Sequence, residues 1–275
     1  MSWNPFHEAH SIEAVSAAVN FYEPLNDVVW RRVIREAESR ANACGLSARS
    51  QVRTGMQFSI GAAPGVPPVP QLDVDAVRFY RNASDEESNT LVPTETLTVA
   101  KGVLLYHTTA YTRWEAMLPQ LRTILTEPLG IALEAVYVNN LRLEYRDVFK
   151  QVIDQSPPLV TNLLRSGCDL LAPHIFRRNQ LFHSHTGFFE PCDSCDQRLI
   201  QLNVDANDLI ENNEQVRAIT IMTAVQDNFF PQLEAERNRT SSELVARFDS
   251  LHKRCDEVFK SVITDEIAER VGMNS

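Results

Sequence analysis

The sequence predicts an α+β fold of two consecutive β-α-β(3-4)-α units, in which long helices pack on one face of antiparallel sheets. Segments that alternate apolar and polar residues are typical of strands with one buried face. Three other segments repeat apolar residues three and four positions apart, which is typical of amphipathic helices. The same order of strands and helices occurs in residues 1–130 and in residues 131–275. We therefore expect two such units, packed together as one compact body.

The first unit is predicted to begin with a strand, because apolar residues alternate with smaller or polar ones in residues 13–22. A helix follows, which Asn26 or Asp27 can cap and which Gly45 can end. Its apolar stripe comprises Trp30, Val33, Ile34, Ala37 and Ala41. Further strands are predicted in RTGMQFSI and DAVRFYRN. TLTVAKGVLLYHTTAY is predicted to form either a hairpin or one long bent strand that turns at Lys101 and Gly102. A second helix then carries the stripe Trp114, Leu118, Leu121 and Leu125.

The second unit is predicted to repeat this order, and it starts with the long strand ALEAVYVNNLRLEYRDVF. A helix is expected to begin after Pro157 and Pro158. Three strands follow it, in QLFHSHTGFFE, RLIQLNVDA and VRAITIMTAVQDNFF. Thr240 and Glu243 have the spacing of a capping box, which predicts the start of a long C-terminal helix. The apolar stripe of that helix comprises Leu244, Phe248, Leu251, Cys255, Val258 and Val262.

The predicted order of elements is similar to the repeat of the TATA-binding-protein-like and helix-grip folds. In those folds a long helix packs across a curved antiparallel sheet. Because a fold hosts many functions, this likeness predicts architecture only. The net charge of −10 argues against a DNA-binding saddle on such a sheet.

Several phrases resemble, in the same order along the chain, a sporadically distributed prokaryotic family of uncharacterised proteins. They are SIEAVSAAVNFYEPL, LTVAKGVLLYHTTAYTRWEAML, VYVNNLRLEYRDVF, HSHTGFFE, LIQLNVDA and LHKRCDEVFKSVIT. The Arg-Tyr-Ile-Asn phrase usual in that family is replaced here by LRLEYRDV. The resemblance implies no established activity. The patchy distribution of the family points to mobile loci, such as phage-defence or toxin–antitoxin islands.

Composition and charge limit the compartment and the partners of the chain. A pI near 5.2 argues against broad nucleic-acid binding, because that affinity comes from Lys and Arg residues that neutralise phosphates. The N-terminal sequence lacks a basic region followed by an apolar core, so it does not predict a secretory signal. No stretch approaches the ~18–20 apolar residues that span a bilayer. Five scattered cysteines do not form a disulfide framework, and we expect a soluble cytoplasmic protein.

Common catalytic motifs are absent from the sequence. It contains no G-x-S-x-G elbow, no P-loop, no G-x-G-x-x-G, no H-E-x-x-H and no Glu-x-Lys tripeptide. We therefore assign no catalytic residue. The acidic run Asp205, Asp208 and Glu211 has oxygen ligands for Mg²⁺ or Ca²⁺, although such runs more often end a strand in solvent. His107, Tyr111 and His252 are interpreted as structural residues.

The segment HSHTGFFEPCDSC holds two histidines and two cysteines. Cys192 and Cys195 form a C-x-x-C half-site, and zinc is the one cofactor that we consider for them. An extended strand places His185 roughly 16 Å from Glu190, so the histidines and cysteines do not meet unless the loop folds back. The simpler interpretation of the cysteine pair is a polar hairpin loop.

His183 and His185 are predicted to lie on the same face of a strand, because side chains alternate between the two faces of a sheet. Gly187 leaves open space beside them. If the sheet holds a ligand, we expect these two histidines, with Arg142 and Tyr145, to line the wall of the pocket.

The leading functional hypothesis is a non-catalytic protein-binding or assembly component, encoded with a mobile or phage-defence locus. It would engage a protein partner or a second copy of the chain through the sheet surface or a strand edge. One alternative is a ligand-binding sensor, or a hydrolase of unrecognised type, with a histidine-lined pocket. Another is a metal-dependent nuclease of a defence system, against which the absence of an acid-plus-lysine constellation argues.

Overall fold

The computed structural model describes residues 3–52, 75–85, 90–154, 158–177, 181–231 and 239–273. The strands are β1 Asn4–Pro5, β2 Ile12–Phe21, β3 Ala48–Val52, β4 Ala76–Asp85, β5 Thr90–Ala100, β6 Val103–Thr108, β7 Val138–Val152, β8 Phe182–Glu190, β9 Gln197–Glu211 and β10 Glu214–Asn228. The helices are α1 Asp27–Ala43, α2 Trp114–Leu133, α3 Ser241–Ala246, α4 Phe248–Val262 and α5 Asp265–Arg270. The strand predicted in RTGMQFSI, at 53–60, lies outside the described residues.

One antiparallel sheet of ten strands dominates the molecule. Its order is β3-β4-β5-β6-β2-β7-β10-β9-β8, and β1 pairs with β7. Strands β2 and β7 lie side by side at the centre, where Val15 is the cross-strand neighbour of Tyr145. Strands from both halves of the chain therefore belong to the same sheet.

The prediction of two consecutive β-α-β(3-4)-α units is wrong. The structure has one large sheet with few helices rather than two repeated units. Alternation of apolar residues identifies a strand and its buried face, but it does not identify the neighbouring strand. Strands β2 and β7 come from different halves of the chain, and their pairing joins the two halves in one sheet. The periodicity of the sequence therefore could not predict this pairing.

The helix predicted after Pro158 is also wrong. Within the described residues 158–177 the chain forms only two short 3₁₀ helices, Val160–Asn162 and Pro173–Phe176. Gly167 has a φ of +88°, which a helix cannot contain, and Pro173 lacks the N–H that a continuing helix needs. Buried leucines in this segment fill the core without helical periodicity.

The two faces of the sheet have different surroundings. The covered face carries the buried side chains of Val15, Leu143 and Ile200. Helix α4 lies against β7 and β10 on this face, and α1 packs against α2. The open face carries the half-buried side chains of Ser16 and Arg142. The core therefore lies between the covered face and the helices.

The predicted helix ends are confirmed. The Asn26 side chain accepts hydrogen bonds from the N–H groups of Val28 and Val29, at 3.1 and 3.0 Å. Gly45 follows α1 with a φ of +81°, a left-handed conformation that glycine adopts without a Cβ clash. The capping box forms as expected, with the Thr240 N–H donating to the Glu243 carboxylate at 2.7 Å. It starts α3, which ends at Ala246, so the single long C-terminal helix that was predicted is interrupted at Arg247 before α4. None of the described helices is long and apolar enough to cross a bilayer.

Candidate functional site

A cavity of about 640 Å³ lies between the covered face and the helices α2 and α4. Its walls come from distant parts of the chain, which the central strands bring together. The described residues that line it are Ala9, His10, Ser11, Ile12, Tyr111, Thr112, Arg113, Trp114, Glu115, Tyr145, Asp147, Thr223, His252, Cys255, Asp256, Phe259, Val271, Gly272 and Met273. The cavity is therefore rich in aromatic and ionisable side chains.

Asp147 is a buried carboxyl group on the wall of this cavity. It projects from β7 on the covered face and is 2% exposed. The Ser11 hydroxyl donates a hydrogen bond to its Oδ1 at 2.7 Å. Burial raises the pKa of Asp147 to about 7, because the hydrogen bond from Ser11 only partly offsets the loss of solvation. The group therefore changes charge near neutral pH.

His252 and Asp256 occupy adjacent turns of α4 on the other side of the cavity. The His252 ring stacks on Trp114 with centroids 4.4 Å apart, and its Nδ1 lies 2.9 Å from the Tyr145 hydroxyl. Its Nε2 lies 3.4 Å from the Asp256 carboxylate. Burial lowers the pKa of His252 to about 4, so this imidazole is neutral near pH 7.

The pKa of Asp256 is raised to about 6, first by burial and then by the nearby carboxylates of Glu115 and Glu257. Together with Asp147 and Glu115, it makes three carboxyl groups on the cavity wall. Arg113 is the only Lys or Arg among the described lining residues. The interior is therefore an acidic environment that favours positive charge.

Thr223 adds an unpaired polar group to the same wall. It is the cross-strand neighbour of Tyr145 and is 0% exposed. Among the described residues, no group forms a hydrogen bond with its Oγ1. Since buried hydroxyls normally have a partner, a bound molecule is a natural source of this missing hydrogen bond.

The four residues predicted to line a ligand wall do not lie together. Tyr145 is buried in the cavity on the covered face. Arg142 lies on the open face, where it pairs with Glu144 at 2.8 Å. His183 and His185 are exposed on the edge strand β8, and they share one face of that strand. The structure therefore separates Tyr145 from the other three.

Cys192 and Cys195 lie near Asp227, and the three ligand atoms are within 4.8 Å of one another. The Asp227 carboxylate is already paired with the guanidinium groups of Arg198 and Arg247. Both cations disfavour a metal ion at this position. Burial alone raises the pKa of Cys192, but hydrogen bonds with Cys195 and Ser194 outweigh it and the net shift is downward.

The acidic run does not converge on one ligand position. Asp205 contacts His183, Asp208 contacts Arg217, and the Glu211 carboxylate pairs with Lys150 at 2.6 Å. His107 contacts Ser16 at 2.9 Å and lines a second cavity, of about 580 Å³, on the open face.

Sequence reasoning missed Asp147 and Asp256, although the sequence held a signal for each of them. The positions Leu141, Leu143, Tyr145, Asp147 and Phe149 share one parity in β7, and all are buried. A single acidic residue in an apolar alternation marks a carboxyl group on the buried face. Asp256 lies four residues after His252, and that spacing places the two side chains on the same side of a helix.

No protein-family model matches the chain, and no curated protein matches it. The resemblance to a sporadically distributed prokaryotic family therefore stays a prediction.

Proposed function

We propose that the protein is a ligand-binding protein, and that its cavity holds a small organic cation with a flat apolar body. The observation that carries this proposal is Asp147, a buried carboxyl group on the cavity wall. Among the described residues, its one side-chain hydrogen bond comes from Ser11. A buried carboxylate is costly unless a cation pairs with it. A bound cation would supply that partner.

Electrostatics supports a cationic ligand over an anionic one. Asp147, Asp256 and Glu115 line the cavity, while His252 is neutral because burial lowers its pKa to about 4. Burial raises the pKa of Asp147 to about 7, so a cation that pairs with this group displaces its proton. Affinity for the cation is therefore expected to fall as the pH drops below about 7.

Aromatic side chains support a flat apolar body. The Trp114 ring stacks on His252, and the Tyr111 ring meets Tyr145 edge to face with centroids 5.8 Å apart. The faces of such rings attract cations that lose water on binding. The Thr223 hydroxyl, which has no partner among the described residues, adds a hydrogen-bonding group to the same wall.

Binding is favoured here over hydrolysis. The Tyr145 hydroxyl lies 2.9 Å from Nδ1 of His252, and burial raises the pKa of this phenol well above its usual value. A phenol held in its neutral form is a weak nucleophile, since activation of a hydroxyl requires removal of its proton. The His252 imidazole, with a pKa near 4, is also a weak base at neutral pH.

Calorimetric titration with three matched probes tests this proposal: benzamidine as the cation, benzamide as its neutral isostere and benzoate as the anion. At about pH 8, where Asp147 is ionised, benzamidine should bind at least about tenfold more tightly than benzamide. Asp147→Asn should remove that preference. Asp193→Asn, at an exposed loop carboxyl, is the control and should keep it. Equal binding of benzamidine and benzamide by the native chain would contradict the proposal.

A second candidate function is protein binding through the β8 edge. This strand ends the sheet within the described part of the chain, and Leu181 and Phe189 beside its edge are 56% and 57% exposed. Unpaired edges with exposed apolar residues favour pairing with another chain. If the chain self-associates there, Phe189→Lys should shift the mass seen by mass photometry toward the monomer. An unchanged mass distribution would exclude Phe189 from an interface.

We also propose a cytoplasmic location. All five cysteines are free thiols, which is typical of a reducing compartment.

A further inference from the structure

Two imidazoles and a carboxylate lie close together on the open face of the sheet, opposite the face that lines the cavity. His183 and His185 project from β8, and Asp205 projects from β9 directly opposite His183. One ligand atom from each residue lies within 4.8 Å of the other two. Nδ1 of His183 is in direct contact with the Asp205 carboxylate. We call these three residues the open-face triad.

The two histidine rings approach each other more closely than their strand requires. Side chains two residues apart on a strand start roughly 6.6 Å from each other. The ring centroids of His183 and His185 are 3.9 Å apart, so the two rings lean toward each other. The Asp205 carboxylate, on the neighbouring strand, lies within 4.8 Å of a ligand nitrogen of each ring. Rings and carboxylate therefore converge as the ligands of a metal ion do.

We propose that the open-face triad is a binding site for a divalent first-row transition metal ion, and specifically for zinc. Imidazole nitrogen and carboxylate oxygen both bind zinc, at about 2.0–2.2 Å. Two ligands on one ion are then at most about 4.4 Å apart, close to the observed span of the triad. Three protein ligands leave a further position for water or for a ligand from another molecule.

The exposure of the triad suits reversible metal loading from solution. The His183 side chain is 67% exposed and the Asp205 side chain is 31% exposed, so an ion reaches them without opening the core. The triad faces away from the cavity, since Ser184 between the two histidines is buried on the covered face. The metal site is therefore independent of the proposed ligand site.

The cysteine cluster is the competing location for zinc in the described part of the chain. Cys192 and Cys195 would share the ion with Asp227, whose carboxylate is paired with Arg198 and Arg247. Zinc would have to displace at least one of these buried ion pairs. Zinc at the open-face triad would not have to displace a Lys or Arg side chain, because none of its three members pairs with one in the described structure.

Zinc titration of the untagged, full-length chain in competition with a chromophoric chelator tests the site, since a polyhistidine tag would bind the same ion. One equivalent should bind. His185→Ala and Asp205→Asn should each weaken zinc binding by at least about tenfold, as loss of a metal ligand or its support does. His174→Ala, at an exposed histidine outside the triad, should bind zinc like the native chain. Circular dichroism melting confirms that each variant is folded.

A double variant, Cys192→Ser with Cys195→Ser, separates the two locations. It should retain the full zinc equivalent. Loss of zinc in this variant, with retention in His185→Ala, would assign the ion to the cysteine cluster and overturn the proposal. Failure of the native chain to take up zinc, or equal loss in His174→Ala and His185→Ala, would also overturn it. Each of these outcomes leaves the benzamidine experiment unaffected, because Asp147 lies on the other face.

Discussion

Asp227 and Asp147 are two buried carboxyl groups on the covered face, and their pKa values are shifted in opposite directions. Asp227, on β10, is 0% exposed and accepts hydrogen bonds from Arg198 at 2.6 and 3.1 Å. It also pairs with Arg247. Burial disfavours the charged form of Asp227, but the two guanidinium groups outweigh this effect, so the pKa of Asp227 is lowered. Asp147 has Ser11 instead of a cation, and its pKa is raised to about 7.

This difference in pKa indicates that the two aspartates have different roles. A buried carboxylate between two cations fixes the packing of the elements that supply them, here β9 and the helix junction at Arg247. A buried carboxyl group without a cation costs stability wherever it must ionise, and such groups concentrate at functional sites. Asp227 therefore belongs to the framework, while Asp147 belongs to the proposed ligand site.

The largest effect is expected from Asp227→Asn. The amide leaves the buried guanidinium groups of Arg198 and Arg247 without a counter-charge, which costs about 3–5 kcal/mol of unfolding free energy. Urea unfolding at about pH 7 measures the loss. Because the pKa of Asp227 is lowered, its stabilisation is present above the unfolded pKa of 3.8 and disappears as the pH falls through the folded value. A loss below about 1 kcal/mol would contradict the framework role.

Asp147→Asn is expected to raise the free energy of unfolding, whereas Asp227→Asn lowers it. The unfolded pKa is 3.8 and the folded pKa is about 7, a difference of about three units or about 4 kcal/mol against the native fold at high pH. The amide removes this penalty but adds an N–H that lacks a partner. We therefore expect a net gain of about 1–3 kcal/mol at about pH 8.

The pH dependence gives the sharper test of Asp147. Between about pH 4 and pH 7 the unfolded chain releases a proton that the folded chain keeps, so stability of the native protein falls as pH rises through this window. Asp147→Asn should remove that part of the slope. The remaining slope then reports the other groups with shifted pKa values, which include Asp256, His252 and His10 on the same cavity wall. Identical pH profiles for the native and variant chains would refute the raised pKa.

A smaller gain is expected from Thr223→Val. The substitution replaces the hydroxyl by a methyl group of similar size, and the buried Oγ1 has no partner among the described residues. Removing an unsatisfied buried hydroxyl should raise the unfolding free energy by about 1 kcal/mol. Chemical denaturation without ligand measures this gain, and Thr161→Val, at an exposed threonine, is the control. A loss of stability would mean that Thr223 has a partner such as a buried water molecule.

The sequence allowed most strands and all the long helices to be located, because periodicity and capping residues are local. Asn26, Gly45 and the Thr240–Glu243 capping box mark helix ends through contacts that span only a few residues. The single sheet could not be predicted, because it depends on β2 pairing with β7 across more than a hundred residues. The sequence contains no local signal for that choice.

The candidate site was less accessible from the sequence than the fold. The cavity unites Ser11, Trp114, Asp147 and Asp256, which are far apart in the chain and share no motif spacing. Pairing of β2 with β7 brings Ser11 to Asp147, so an error in strand order hides the site. By contrast, the alternation of side chains along a strand is enough to predict that His183 and His185 lie on the same face of the sheet. The structure places both on the open face.

The smallest effect is expected from a third carboxyl group, Asp205 on the open face. Its partner His183 is 67% exposed, so water solvates both groups and the pair adds little to stability. Asp205→Asn should therefore change the unfolding free energy by less than about 1 kcal/mol without zinc. Urea unfolding beside Asp227→Asn gives the direct contrast between an exposed and a buried pair. If zinc stabilises the native chain but not Asp205→Asn, the exposed carboxyl group acts through its ligand, as Asp147 is proposed to do.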